Sequence, residues 1–281
     1  MLVQRDIQRR FDRAAGGFDA ADFVHAVTRE GLIERLQPLV IEARTILDLG
    51  AATGSAGHRL RQRFRRARVV SLDLSHAMLQ RARQRRSWLR RPACVQADAN
   101  QLPFADGTFD LVIANQLLPW IPDPDRVLAE VARVLKQGGV FAFATLGPDS
   151  FREIAEAWAE VDELPHVNRF ADMHDIGDGL VRAGLREPVL DVDRLSVSYE
   201  NPDNLWRDLT SAGARNSLAG RARGLVGRQR FRRMLEALRR GSSGVPVRLE
   251  LELVYGHCWG AGPGRDAAEF RVAAEHIPLR R

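Results

Sequence analysis

Apolar residues along this chain fall into two alternating rhythms, and the alternation predicts an architecture. Short apolar runs, Ile46-Leu-Asp-Leu49, Val69-Val-Ser-Leu72, Ala93-Cys-Val-Gln-Ala97, Phe109-Asp-Leu-Val-Ile-Ala114 and Val140 to Thr145, have the length and composition of buried strands. Between them lie stretches with apolar residues at helical separations. These are residues 54–64, a helix that Ser75 would cap and that runs through Met78, Leu79 and Trp88, and residues 123–136, closed by Gly138-Gly139. Strand and helix taking turns in this way predict an α/β fold with a doubly wound, mostly parallel sheet. Upstream, residues 5–37 read as two cap helices with Ile7, Phe11, Phe23, Val27 and Leu32 at helical spacing. Beyond Gly147 the rhythm changes to a helix over 149–161, a polar loop, a helix over 173–183, a strand over 188–199, mostly helix over 203–240 and a last strand over 247–257. A hairpin-like final pair at one edge would complete the sheet. Gly260 to Gly264 reads as a linker-like turn, and residues 270–277 as a short edge strand.

The ends of the predicted parallel strands are where chemistry gathers. The first strand breaks at Gly50 into the small-residue turn Gly50-Ala-Ala-Thr-Gly54 and opens a helix whose free amides face a crevice. Taken alone, such a turn is equally a plain structural device. Asp48 just inside it is wrong for a pyrophosphate and suits the ammonium of S-adenosylmethionine. Asp73 ends the second strand 25 positions after Asp48, placed to accept ribose hydroxyls, and Asp98 follows the third run 25 positions later, placed to accept the adenine amine. Asn115 ends the fourth strand at the mouth, where the sulfonium would lie. Leu74, Ala99 and Met78 complete the expected cofactor contacts, although Met78 at helical spacing is also a natural core residue.

These residues carry a resemblance. Leu47-Asp-Leu-Gly-Ala-Ala-Thr-Gly54, Leu72-Asp-Leu-Ser75 and Leu102-Pro-Phe104 with Phe109-Asp110 resemble the class I S-adenosylmethionine-dependent methyltransferases. Phe11-Asp-Arg-Ala-Ala15, Phe141-Ala-Phe-Ala-Thr-Leu-Gly-Pro-Asp-Ser150 and Pro165-His-Val-Asn-Arg-Phe170 narrow it to the malonyl-acyl-carrier-protein O-methyltransferases of biotin synthesis. Gly213-Ala-Arg-Asn216, Gly220-Arg-Ala-Arg-Gly-Leu225 and Val254-Tyr-Gly-His257 are similar too, so the likeness spans nearly the whole chain. It implies a seven-stranded sheet, S-adenosylmethionine as cofactor and malonyl-acyl-carrier protein as partner. Two positions depart from the pattern: Ala52 stands where most relatives carry a second glycine, and Phe18 where relatives often place a tyrosine.

The chain then divides into cap helices over 1–40, a cofactor-binding core over 41–147, a lid insertion over 148–187, a completion of the sheet over 188–260 and a tail over 261–281. With 281 residues, 45% of them hydrophobic, it can bury a full core, and no run approaches a membrane span. The amino end lacks the apolar centre of a secretion signal, and the two cysteines, Cys94 and Cys258, read as reduced thiols, which together predict a cytoplasmic protein. Histidines are scattered without ligand spacing, so no metal is expected.

Charge adds a partner. Forty-two basic residues outnumber 36 acidic ones, and arginines cluster at 59–68, 81–91, 221–233 and 239–240. Solvated helix faces account for such clusters, and so does docking of an acidic macromolecule, either the acyl carrier protein or RNA. Transfer to a malonyl carboxylate, which the resemblance implies, needs no base, so the catalyst is a positioning device without an acid or base residue. Arg169 is the candidate to grip that carboxylate; His166 and Asn168 are candidates to line the same pocket, and Trp120 offers either an apolar wall for the acyl arm or core packing. Two alternatives stay open: another class I methyltransferase acting on a quinone precursor or RNA, or a cofactor-fold assembly protein that binds an acidic partner without methylating it.

Overall fold

A computed structural model describes residues 2–85, 92–221, 224, 226–242 and 246–261. Seven strands form one sheet: β1 (Thr45–Leu49), β2 (Arg68–Asp73), β3 (Ala93–Gln96), β4 (Phe109–Asn115), β5 (Leu135–Leu146), β6 (Arg186–Tyr199) and β7 (Val247–Trp259). Their spatial order is β3-β2-β1-β4-β5-β7-β6. The first five run parallel, and β7 runs antiparallel to both β5 and β6. The order reverses between β1 and β4, and such a switch point opens a crevice beyond the carboxyl ends of the strands.

Alternation along each strand explains why the runs are apolar throughout. Leu47, Leu49, Val70, Leu72, Val112, Phe141 and Phe143 point to one face, where helix α5 (Pro124–Val134) and helix α7 (Met173–Arg182) cover them. Ile46, Val69, Leu111, Ile113, Val140 and Ala142 point to the other, against Leu32 of helix α2 (Phe23–Arg35) and Leu60 of helix α3 (Ser55–Arg63). Helix α1 (Gln4–Ala14) packs against helix α4 (His76–Gln84) over the strand ends. A third cluster joins helices α6 (Arg152–Ala159), α8 (Pro202–Ser211) and α9 (Arg228–Gly241) to the β6–β7 pair through Trp158, Leu205, Met234 and Leu249.

Several element boundaries differ from the expectation. The helix that opens at Asp123 stops at Val134 rather than Lys136, because Leu135 already pairs with Phe109 of β4. The stretch read as mostly helix over 203–240 is two helices with an irregular segment between them. β6 and β7 pair antiparallel, but α8 and α9 separate them in sequence, so no tight hairpin joins them. Helix α4 ends at Gln84. Trp88 and the strand expected over 270–277 lie outside the described residues.

Asp110 ties the amino-terminal end of β4 to its neighbours. It accepts the backbone N–H groups of Arg44 and Thr45 at 2.9 and 2.8 Å, the Thr45 hydroxyl at 2.9 Å and the Lys136 ammonium at 2.7 Å. Burial alone would raise its pKa, but Lys136 and the Thr45 and Arg44 bonds outweigh it and hold the carboxyl at about 2. Asp110→Ala should therefore cost about 1.5–3 kcal/mol of unfolding free energy at pH 7, measured by urea denaturation. Because the folded pKa is depressed, the deficit should be full above the unfolded value of about 4 and shrink as pH falls toward about 2. A deficit below about 0.5 kcal/mol at pH 7, within the range of an ordinary surface substitution, would contradict this role.

Candidate active site

At the switch point the turn after β1 is shaped by backbone rather than side chains. Gly50, Ala52 and Gly54 all adopt positive φ, at 73°, 47° and 80°. The turn is latched to β2, since the Gly50 and Ala51 amides both donate to the Leu72 carbonyl at 2.9 Å. Asp48 is buried beneath it and accepts the Gly57 amide of α3 at 2.8 Å. Desolvation raises its pKa to about 7. Asp73 accepts the amides of Ala52 and Ser75, both at 2.8 Å, and burial raises it to about 6. Ser75 caps α4 as expected, accepting the Met78 amide. Asp98 accepts Gln4 Nε2 of α1 at 2.6 Å and the Asn100 amide at 2.9 Å. Asn115 donates from Nδ2 to the His25 carbonyl at 2.9 Å, and its Oδ1 is buried without a partner among the described residues.

Seven of the expected cofactor residues, Asp48, Gly50, Asp73, Leu74, Asp98, Ala99 and Asn115, line one narrow cleft of about 110 Å³. Residues of α1 and α2 roof it, among them Gln4, Phe11, His25 and Arg29. Two expected contacts are not brought onto this lining. Gly54 faces α4, where a Cβ would stand 2.9 Å from Ala82 Cβ, so its work is the turn and the close helix approach. Met78 is fully buried against Ala14, Ala15 and Phe18 and serves as core beneath the roof. Phe18 also reaches the cleft, its ring 5.1 Å from that of His25.

A second cavity of about 920 Å³ lies next to the first, with mostly apolar walls such as Leu146, Phe151, Trp158, Phe170 and Leu249. Trp120, His166 and Asn168 line it, as expected. His166 stacks on Trp158 with ring centroids 3.8 Å apart and bonds Asp162 at 2.8 Å, and Asn168 donates to the Pro119 carbonyl at 3.3 Å. Arg169 is exposed and lines neither cavity; the loop turns it outward between two inward residues, Asn168 and Phe170.

Three residues, His25, Gln116 and Trp120, belong to both linings. Gln116 is buried at a positive φ of 59°, a strained conformation for a residue with a Cβ, and its Nε2 has no partner among the described residues. Burial lowers the pKa of His25 to about 4, so its imidazole is neutral, and its Nδ1 also lacks a partner among the described residues. Neither residue was singled out from sequence, although Gln116 adjoins the strand-end Asn115. Arg29 was missed as well. It is paired with Asp22 at 3.3 Å, lines the same cleft as Asp48 and brings a cation that can meet an amino acid carboxylate.

The site therefore suits a ligand with an ammonium, a carboxylate and a diol: two buried acids form no ion pair among the described residues, and Arg29 lines the same cleft. With the 3-2-1-4-5-7-6 sheet, these features define an S-adenosylmethionine-dependent methyltransferase of class I. Residues 47–143 match the model of a methyltransferase domain family. The YcgJ protein of Bacillus subtilis has a solved structure that superposes with a TM-score of 0.61 at 17% identity, covering 82% of this chain and 98% of that one, which shows the fold. A malonyl-[acyl-carrier protein] O-methyltransferase of Halorhodospira halophila is 42% identical over 100% of this chain and 97% of its own length. One of Laribacter hongkongensis is 41% identical over 95% and 96%. The chain belongs to the malonyl-[acyl-carrier protein] O-methyltransferase family.

Two outcomes follow from the cleft. Ala52 stands in the left-handed region at a strain of about 1–2 kcal/mol, so Ala52→Gly should stabilise the protein by up to about 1 kcal/mol after the entropy cost of glycine; a net loss in urea denaturation would contradict this. A cationic ligand end favours ionised Asp48, so affinity for S-adenosylmethionine should rise as pH climbs through about 6 and 7 and level off above. Calorimetry in buffers of different ionisation enthalpy should register proton release near pH 6.5 that Asp48→Asn diminishes. Proton uptake, or an affinity flat across this window, would count against the assignment.

Proposed function

We propose that this protein transfers the methyl group of S-adenosylmethionine to the free carboxylate of malonyl-acyl-carrier protein, giving the methyl ester that fatty acid elongation carries toward pimelate and biotin. The observation that carries the reading is the junction: a narrow polar cleft and a wide apolar cavity meet at His25, Gln116 and Trp120. The curated relatives in the family carry the same activity in their names.

The bound cofactor supplies a methyl group on a sulfonium, and its transfer to a carboxylate oxygen leaves a neutral thioether and an ester. No proton moves, so the protein's task is to bind, orient and dry the reactants. In this reading Asp48 and Arg29 take the amino acid end of the cofactor, Asp73 the ribose, Leu74, Asp98 and Ala99 the adenine, and Asn115 the region of the sulfur. Gly50 opens the turn, while Gly54 and Met78 support it from behind. Trp120, His166 and Asn168 line the path of the acyl arm.

Arg169, exposed outside the cavity, is replaced as the carboxylate grip by His25 and Gln116. The replacement makes chemical sense. A guanidinium would pair with the carboxylate and blunt it as a nucleophile, whereas neutral donors orient one oxygen and leave the charge on the other. Esterification then removes that charge, and the acyl end becomes apolar enough to pass as a fatty chain.

In this reading the acidic carrier docks on an arginine-rich face beside the larger cavity, to which Arg5 and Arg9 of α1 contribute. Elsewhere arginines of the sequence clusters are drawn into local pairs, as Arg59 with Glu30, Arg85 with Asp19, Arg230 with Asp162 and Arg240 with Glu160. No helix among the described residues is long and apolar enough to cross a membrane, and a cytoplasmic location completes the proposal.

The direct test incubates the protein with methyl-labelled cofactor and malonyl-acyl-carrier protein. Label should appear on the carrier and be released as methanol by mild base; label that resists base, or none transferred, would overturn the reading. Gln116→Glu should raise KM for the malonyl substrate about tenfold or more, by losing a donor and adding repulsion, with the cofactor Kd within about threefold. Arg169→Ala should leave both constants near wild type.

A further inference from the structure

A half-buried arginine crowded by other arginines marks a place built for an anion. Arg10 of α1 lines the larger cavity, and the charges acting on it are those of Arg221, Arg215 and Arg13 against one carboxylate, Asp6. Asp6 is already engaged in an ion pair with Arg221. Among the described residues neither Arg10 nor Arg215 forms an ion pair of its own, and the other acid on the cavity wall, Asp208, lies beside Tyr199. Burial, and then the charges of Arg221 and Arg215, push the Arg10 guanidinium below its ordinary value.

The fold holds this repulsion together deliberately. Arg215 and Arg221 come from the segments Gly213-Ala-Arg-Asn216 and Gly220-Arg221, which close down on α1. The Val3 amide donates to the Ser217 carbonyl at 3.0 Å, and Leu2 pairs with Leu218 in an antiparallel bridge. Gly213, at φ 71°, lets the chain approach so near that a Cβ there would lie 3.0 Å from the Phe11 ring. Like charges brought together by backbone bonds cost energy in the empty state, and an anion between them returns it.

The position of the cluster says which anion. It lines the same cavity whose walls are mostly apolar and which shares His25, Gln116 and Trp120 with the cofactor cleft. The matching ligand carries an anion together with an uncharged arm that ends in a reactive acyl group. Carboxylates on a carrier protein's own surface cannot enter a cavity, whereas a phosphodiester on its prosthetic arm can, and guanidinium forks match phosphate oxygens.

We infer that Arg10, Arg215 and Arg221 form a subsite for the phosphodiester of the carrier's phosphopantetheine arm. The inference rests on the malonyl-carrier reading and deepens it.

The test compares malonyl-phosphopantetheine with malonyl-pantetheine, which lacks the phosphate, in the wild-type enzyme and in the double variant Arg10→Gln, Arg215→Gln. The variant should lose about tenfold or more in kcat/KM on the phosphorylated substrate, with kcat at saturation unchanged, and less than about twofold on the other. Equal losses on both, or none on either, overturn the subsite. So does a loss confined to the intact carrier protein, which would reflect docking of its acidic surface instead. If the wild-type protein methylates no malonyl thioester, the functional reading fails separately, and calorimetry then judges the subsite. Tighter binding of phosphopantetheine than of pantetheine, abolished in the double variant, upholds it; equal binding overturns it.

Discussion

Two buried carboxylates, Asp48 and Asp73, sit at the ends of adjacent parallel strands with backbone amides among their hydrogen-bond donors, and the site is arranged around these acids. Holding an ionised acid out of water costs several kcal/mol, which the sheet sustains because β1 and β2 are locked between apolar layers on both faces. The raised pKa values of both groups register that cost. A ligand bringing an ammonium and hydroxyls to these acids relieves it. On the proposed site assignment binding and folding are coupled, since a ligand that binds only the folded state stabilises it.

From this constraint follows a division of labour between the two cavities. The narrow one presents charge and hydrogen-bonding groups from β1, β2, the turn after β3 and β4, which suit the proposed adenosyl amino acid. The wide one is walled by α6, α8, the polar loop and the β6–β7 pair, which suit the proposed acyl arm. They communicate through residues that carry no formal charge, with His25 held neutral by burial. In the proposed reaction an anion and a sulfonium meet there, and removing water from around them favours the charge-cancelling transfer.

The strand-end half of the site was legible because it depends on local pattern. A parallel strand buried on both faces reads as an unbroken apolar run, and the polar residue that ends it must face the crevice; Asp48, Asp73, Asp98 and Asn115 followed from that alone. Gly54 and Met78 show the limit of the same reasoning, since a small turn residue and a helical methionine face the core or the ligand according to a rotation that spacing does not encode. Arg169 shows another: in an irregular loop, neighbouring side chains point oppositely, and only tertiary packing decides that Asn168 turns in while Arg169 turns out. Of the larger cavity only Trp120, His166 and Asn168 were legible. Its walls come from α1, the turn at Trp120, the loop at His166 and the segment around Arg215, distant in sequence and united by contacts such as Val3 with Ser217. Gln116 betrays itself only through a backbone angle, and His25 sits in a helix whose apolar spacing gave no reason to single it out.

In the proposed reading the switch-point cleft, and not the larger cavity, receives the adenosyl cofactor through its buried acids. A crystal structure with S-adenosylhomocysteine tests it most directly. The account predicts the ribose hydroxyls on Asp73, the adenine beside Asp98 and Ala99, the amino acid end near Asp48 and Arg29, and the sulfur opening toward His25, Gln116 and Trp120. A nucleoside lodged in the larger cavity, or a bound cofactor leaving Asp73 without contact, would contradict it.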